Sequence, residues 1–125
     1  CIKCHRIGPR GGRIGPDLTG VGARFSKIHL IESILQPSRT IAPSYSAIAV
    51  VLKSGQVLTG TKVSLTKTEL TLGDKDGKLH TILNSKIDMI HPQKKSVMPE
   101  ELEKRFSDRE FVDLIAFLQS QTKRR

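Results

Sequence analysis

The chain has 125 residues and a mass of 13.9 kDa, room for one domain or for one small domain carrying an inserted module, and this excludes most multi-domain enzymes. Apolar residues make up 37% and aromatic residues 4%, with four Phe, one Tyr and no Trp, a thin supply for a core of this length that leaves space for something other than protein to help fill it. The formal charge is +9 with a pI near 10.0, which suggests an anionic partner without identifying it. The excess is spread out. Only the first third is markedly basic, and Lys123, Arg124 and Arg125 form the single basic run. With almost no aromatics among the bases, the stacking platform of a single-strand binder is missing, so nucleic acid is not expected as a partner. The longest unbroken apolar run, residues 47 to 52, falls far below the roughly 20 residues of a membrane-spanning helix, and no span is expected.

The chain opens on Cys1, with no Met and no apolar leader before it, and reads as a fragment or a processed product. Beyond His5 the glycines and prolines at Gly8-Pro9, Gly11-Gly12, Gly15-Pro16, Gly20 and Gly22 predict a loop lying against other structure. Ile28, Ile31, Ile34 and Leu35 repeat at helical spacing, Ser26 can cap the first turn and Pro37 ends the segment, so residues 27 to 35 are predicted to form a short amphipathic helix.

From residue 45 to residue 91 the chemistry changes to alternating Val, Ile, Thr and Leu, broken by turn signals at Ser54-Gly55, Asp76-Gly77 and Asn84-Ser85. Ile48, Val50 and Leu52 share a face, as do Val63 and Leu65, Leu70 and Leu72, and Leu79 with Thr81 and Leu83. Four or five strands in hairpin order follow, closing into a small barrel or curled sheet. Helix returns after Pro92. Pro99 suits the first position of a helix near 99 to 105. Ser107-Asp108-Arg109-Glu110 is a capping box opening a second helix, with Phe111, Leu114, Ile115 and Leu118 as its apolar stripe. The predicted organisation is α+β: residues 1–44 and 92–125 form one α-helical domain, interrupted by an antiparallel β module over 45–91.

The two cysteines sit three apart, in Cys1-Ile2-Lys3-Cys4-His5, and three chemistries compete for them. A thioredoxin-like pair follows a strand and opens a long helix, whereas here a glycine-rich loop follows. A structural zinc site needs four ligands, and His29, His80 and His91 show none of the usual paired spacings. Covalent haem attachment needs only what is present, because residues at i, i+3 and i+4 share one helical face, placing both sulfurs and the imidazole together.

On these residues the sequence resembles the c-type cytochrome family, in particular the exported haem-binding domains of planctomycete-type bacteria, often found at the end of larger dehydrogenase-like proteins. The resemblance is carried by the Cys1 to His5 motif, by Gly15-Pro16-Asp17-Leu18-Thr19-Gly20-Val21-Gly22, by the stretch from Lys53 to Gly60, by Asp76-Gly77-Lys78, and by Val97-Met98-Pro99-Glu100. It implies a cytochrome c-like fold lacking its first helix and one covalent haem c held by Cys1 and Cys4. His5 and Met98 would be the axial iron ligands, and the carbonyl of Pro16 would accept from the His5 ring. Arg24 is the candidate partner for a propionate, with Tyr45 as another. Met89 and the three remaining histidines are the rivals of Met98 as ligand.

The function so implied is non-enzymatic electron transfer, at an exported or periplasmic location, to redox partners docking an acidic patch on Lys3, Arg6, Arg10 and Arg13. Two alternatives stay open. One is a haem enzyme or a gas or peroxide sensor with an open sixth iron position. The other is an interaction domain whose partner is recognised by residues 45 to 91.

Overall fold

The computed structural model describes residues 1 to 123; Arg124 and Arg125, two of the three bases in the terminal basic run, lie outside the described residues. The glycine-rich N-terminal segment forms a small hairpin, β1 (Arg6–Ile7) with β2 (Arg10–Gly11), and then one short helical turn, α1 (Val21–Arg24). Helix α2 (Lys27–Leu35) follows. Its N-cap is Ser26, whose hydroxyl accepts from the His29 amide at 3.2 Å, satisfying one of the donors that every helix start leaves unpaired.

The middle of the chain is a five-stranded antiparallel sheet of β3 (Ser46–Leu52), β4 (Val57–Leu65), β5 (Glu69–Gly73), β6 (Leu79–Leu83) and β7 (Ile87–Ser96), in the order β6-β5-β4-β3-β7. Strands β3 to β6 follow one another as hairpin neighbours, and β7 returns to pair with β3, Val50 facing Ile90 and Ile48 facing Pro92. Pro92 sits inside this strand because β7 is an edge strand, with one side of its backbone not required for pairing. Val50, Leu70, Leu72 and Ile82 make the buried core of the sheet.

A one-turn 3-10 helix, Leu102–Arg105, stands where an α-helix near 99 to 105 is predicted. Helix α3 (Asp108–Ser120) then starts on a complete capping box, in which the Ser107 amide donates to Glu110 Oε1 at 2.8 Å and the Glu110 amide to Ser107 Oγ at 3.1 Å. A second core lies between the helices: Val21, Leu30, Ile34, Ile115 and Leu118, with Leu18, Met98, Leu102, Phe111 and Leu114 packed against it.

The fold class needs correction. The expectation is a cytochrome c-like helical haem domain interrupted by a small barrel-like insertion. In the structure strands hold more residues than helices, the five-stranded sheet is the largest unit, and the helices are few and short. Glycines and prolines hold the first 25 residues to two isolated helical turns, residues 1 to 5 and α1, while apolar alternation builds β3 to β6 and pairing with β3 carries β7 on to Ser96. Among the described residues no helix is long and apolar enough to cross a membrane.

Candidate functional site

The site is built on the N-terminal turn. The amides of Cys4 and His5 both donate to the Cys1 carbonyl, at 3.0 and 2.8 Å, which winds residues 1 to 5 into a single helical turn. The loop that follows is tied back onto it: the Gly12 amide donates to the Ile2 carbonyl at 3.0 Å and the Gly15 amide to the Cys4 carbonyl at 2.7 Å. Gly15 has to be glycine for a specific reason. A Cβ there would lie 2.6 Å from His5 Cε1, so the backbone passes against the face of the ring at a distance no side chain permits.

The ring is fixed from one end. His5 Nδ1 lies 2.7 Å from the carbonyl oxygen of Pro16. A carbonyl can only accept, so Nδ1 carries the hydrogen, and in the neutral ring Nε2 is left with its lone pair as an acceptor. Burial pushes the His5 pKa below its ordinary 6.5, against the upward pull of the Pro16 bond, and the ring is therefore neutral at pH 7.

Two cavities flank this turn and share Cys1, His5 and Met98 as a common wall. The first, about 340 Å³, is almost wholly apolar; Ile7, Leu18, Leu30, Ile34 and Leu118 line it, with Arg10 as its one charged group. The second, about 290 Å³, is more polar and reaches the sheet, with Cys4, Thr61, Lys75, Asp76 and Arg105 on its walls. Both cysteines are free thiols, Cys1 exposed and Cys4 half-buried. Burial raises the Cys4 pKa, the positive chain terminus and Lys3 oppose that rise, and Asp74 and Asp76 add to it. The Cys4 thiol accordingly stays protonated at neutral pH.

The other sequence-predicted residues are distributed as follows. Met98 lines both cavities and packs against the helical core. Arg24 is exposed; its Nη2 donates to the carbonyls of Asp17 at 2.9 Å and Thr19 at 3.3 Å, its guanidinium lies over the Phe25 ring, and it lines neither cavity. His29 stacks on Phe25 with ring centroids 4.4 Å apart, and His80 is bonded to Asp74 at 2.7 Å. His91 and Met89 are exposed on β7, and Tyr45 is half-buried before β3. Sequence reasoning missed the leucines and isoleucines of the first cavity as its lining, since their helical spacing reads equally as core.

Comparison with known proteins gives little. No family model matches the chain. No curated protein matches it either. Among solved structures it is similar over part of its length to an Hfq protein from Anabaena sp., at 17% identity and a TM-score of 0.36, covering 53% of this chain and 93% of that one. It is similar in the same way to a structure described as the pleiotropic translational regulator Hfq, at 16% identity and a TM-score of 0.38, covering 55% of this chain and 98% of that one.

These findings correct the c-type cytochrome resemblance. The largest unit is a five-stranded antiparallel sheet and not a helical haem fold, and among the described residues no group of three or more His, Cys, Asp or Glu is placed to hold a metal ion. Haem c as cofactor, electron transfer as function, the haem-based sensor alternative and acidic redox partners are withdrawn with it. The exclusion of nucleic acid is withdrawn as well: it rests on the scarcity of aromatics, and bases such as Lys94 and Lys95 stand exposed on the edge strand β7.

Proposed function

We propose that this chain is a small-molecule-binding domain whose site is the apolar cavity beside His5. The observation that carries the reading is the cavity itself: about 340 Å³ walled by aliphatic side chains, with one neutral imidazole and one guanidinium among them. Binding sites for small molecules have this composition, a mostly apolar volume of a few hundred cubic ångströms in which a few polar groups set orientation. Burying an apolar ligand there gains about 0.8 kcal/mol per methylene removed from water.

The polar groups define the ligand class. His5 Nε2, held by the bond from Nδ1 to Pro16, is a fixed acceptor and calls for a ligand N–H or O–H. Arg10 at the mouth calls for an anionic group. An apolar ring compound with one hydrogen-bond donor and one acidic substituent meets all three requirements. Cys1, Cys4, Pro16 and Met98 belong to the site as wall or support, and Arg24 belongs to it only through the loop that carries Pro16. Anilinonaphthalene sulfonate, which has two ring systems, one N–H and one sulfonate, is a suitable probe. The reading expects saturable binding at one site per chain, weakened by His5→Phe and by Arg10→Glu.

A second reading rests on charge. With +9 over 125 residues and Lys3, Arg10, Arg13, Lys94 and Lys95 all exposed, an anionic polymer is a fitting partner. The logarithm of the affinity for a single-stranded oligonucleotide would then fall linearly with log salt, and binding that is absent at low salt removes this reading.

A further inference from the structure

The sheet reaches the N-terminal turn through the turn joining β5 to β6, and that turn is unusually well determined. Asp74 uses both carboxylate oxygens: Oδ1 accepts from the amides of Asp76 at 2.9 Å and Lys78 at 3.0 Å, and Oδ2 is bonded to His80 Nε2 at 2.7 Å. The Asp74 amide donates to the Lys78 carbonyl at 2.9 Å, and the Gly77 amide to the Asp74 carbonyl at 3.1 Å. A turn pinned by five bonds holds its shape without help from its neighbours.

What it touches is the cysteine turn. Gly77 has φ +84, and a Cβ there would lie 2.7 Å from Lys3 Cβ and 3.3 Å from the Lys3 carbonyl oxygen. One step before the turn, Gly73 lies against Ile14, which is 3% exposed; a Cβ on Gly73 would overlap the Ile14 side chain. Lys75 and Asp76 also share a cavity wall with Cys1, Cys4 and His5. The sheet is therefore seated on both strands of backbone that fix His5, the turn before it and the loop after it.

We propose that the β5–β6 turn is a clasp that positions the Cys1 to His5 turn, and with it the imidazole, for the ligand cavity. This deepens the binding reading and rests on it for its purpose, since the positioned group is the acceptor of that site. Gly77, Asp74 and His80 are then positioning residues. They act through Lys3 and the backbone, with no contact to the ligand.

The experiment compares Gly77→Ala with Gly55→Ala in the full chain. Both glycines have positive φ, +84 and +93, but nothing lies within 4 Å of a Cβ at Gly55, so the control carries the backbone strain without the clash. Amide exchange is followed at Gly12 and Gly15, whose bonds to Ile2 and Cys4 hold the turn, and in β3 to β5 as reference. Gly77→Ala is expected to speed exchange at Gly12 and Gly15 at least tenfold with β3 to β5 unchanged, and to weaken the sulfonate probe at least fivefold. Gly55→Ala does neither. Adding Lys3→Gly to Gly77→Ala removes the opposing Cβ and brings exchange back toward the parent.

Identical exchange at Gly12 and Gly15 in the two single variants overturns the clasp. If Gly77→Ala does not fold, Asp74→Ala, which frees the turn without adding a clash, is expected to give the same pattern, and no change there overturns the proposal equally. Failure of the parent chain to bind the probe, with the exchange pattern as expected, removes the binding reading and leaves the clasp standing.

Discussion

The imidazole of His5 and the carbonyl of Pro16, eleven positions apart in the chain, meet at 2.7 Å. This bond joins the first turn of the chain to the segment leading into α1, and it decides which ring nitrogen carries the hydrogen. A consequence appears in the pH dependence of folding. The His5 pKa is depressed by burial in the folded chain and returns to about 6.5 on unfolding. The unfolded state binds the proton more tightly, so the stability held above pH 6.5 is lost as pH falls toward the folded value. Denaturant titrations between pH 7.5 and 5 should show this loss, and His5→Gln should flatten it. A parent chain that gains stability on acidification over that range contradicts the assignment.

Gly15→Ala places a methyl 2.6 Å from His5 Cε1. Either the ring turns away from Pro16 or the loop moves, at a cost of about 1–3 kcal/mol typical of overpacking. The expected result is a lower Tm together with weaker probe binding. A variant with reduced Tm and unchanged affinity would show that the ring position does not matter to the cavity.

The capping box of α3 gives a test confined to the scaffold. Ser107→Ala removes the acceptor for the Glu110 amide and should cost about 0.5–2 kcal/mol. Leu70→Ala, at a position 1% exposed within the sheet core, should cost about 2–5 kcal/mol. Calorimetry on both variants checks the ranking, and an equal or smaller loss at Leu70 would mean that the sheet core is not packed as described.

The parts of the fold that sequence reading recovers are those set by local chemistry. Ser26 and Ser107 mark the starts of α2 and α3 because a cap needs only residues within one turn of itself. Strands β3 to β6 follow from alternation bounded by Ser54-Gly55 and Asp76-Gly77. The reading of Pro92 as a break fails because a proline is tolerated on an edge strand, and nothing local says that β7 pairs across to β3 and runs on to Ser96. The balance between sheet and helix is misjudged for a related reason: Cys1-Ile2-Lys3-Cys4-His5 directs attention to a helical family, while strands hold more residues than helices. The seats of Gly77 on Lys3 and of Gly73 on Ile14 join residues about 60 to 75 positions apart, and no pattern within either segment signals them.

The central claim, that the cavity beside His5 binds an apolar ligand, is tested most directly by titrating anilinonaphthalene sulfonate while following the Met98 methyl resonance. Rim variants Ile2→Gln and Phe117→Gln serve as comparison, both at cavity-lining positions that are 58% and 50% exposed and so replaceable without loss of core. The account predicts saturation at one probe per chain, a shift of the Met98 methyl that saturates with it, and clear weakening in both variants. Unsaturable binding, or saturation that leaves Met98 unmoved and is the same in the glutamine variants, would contradict it.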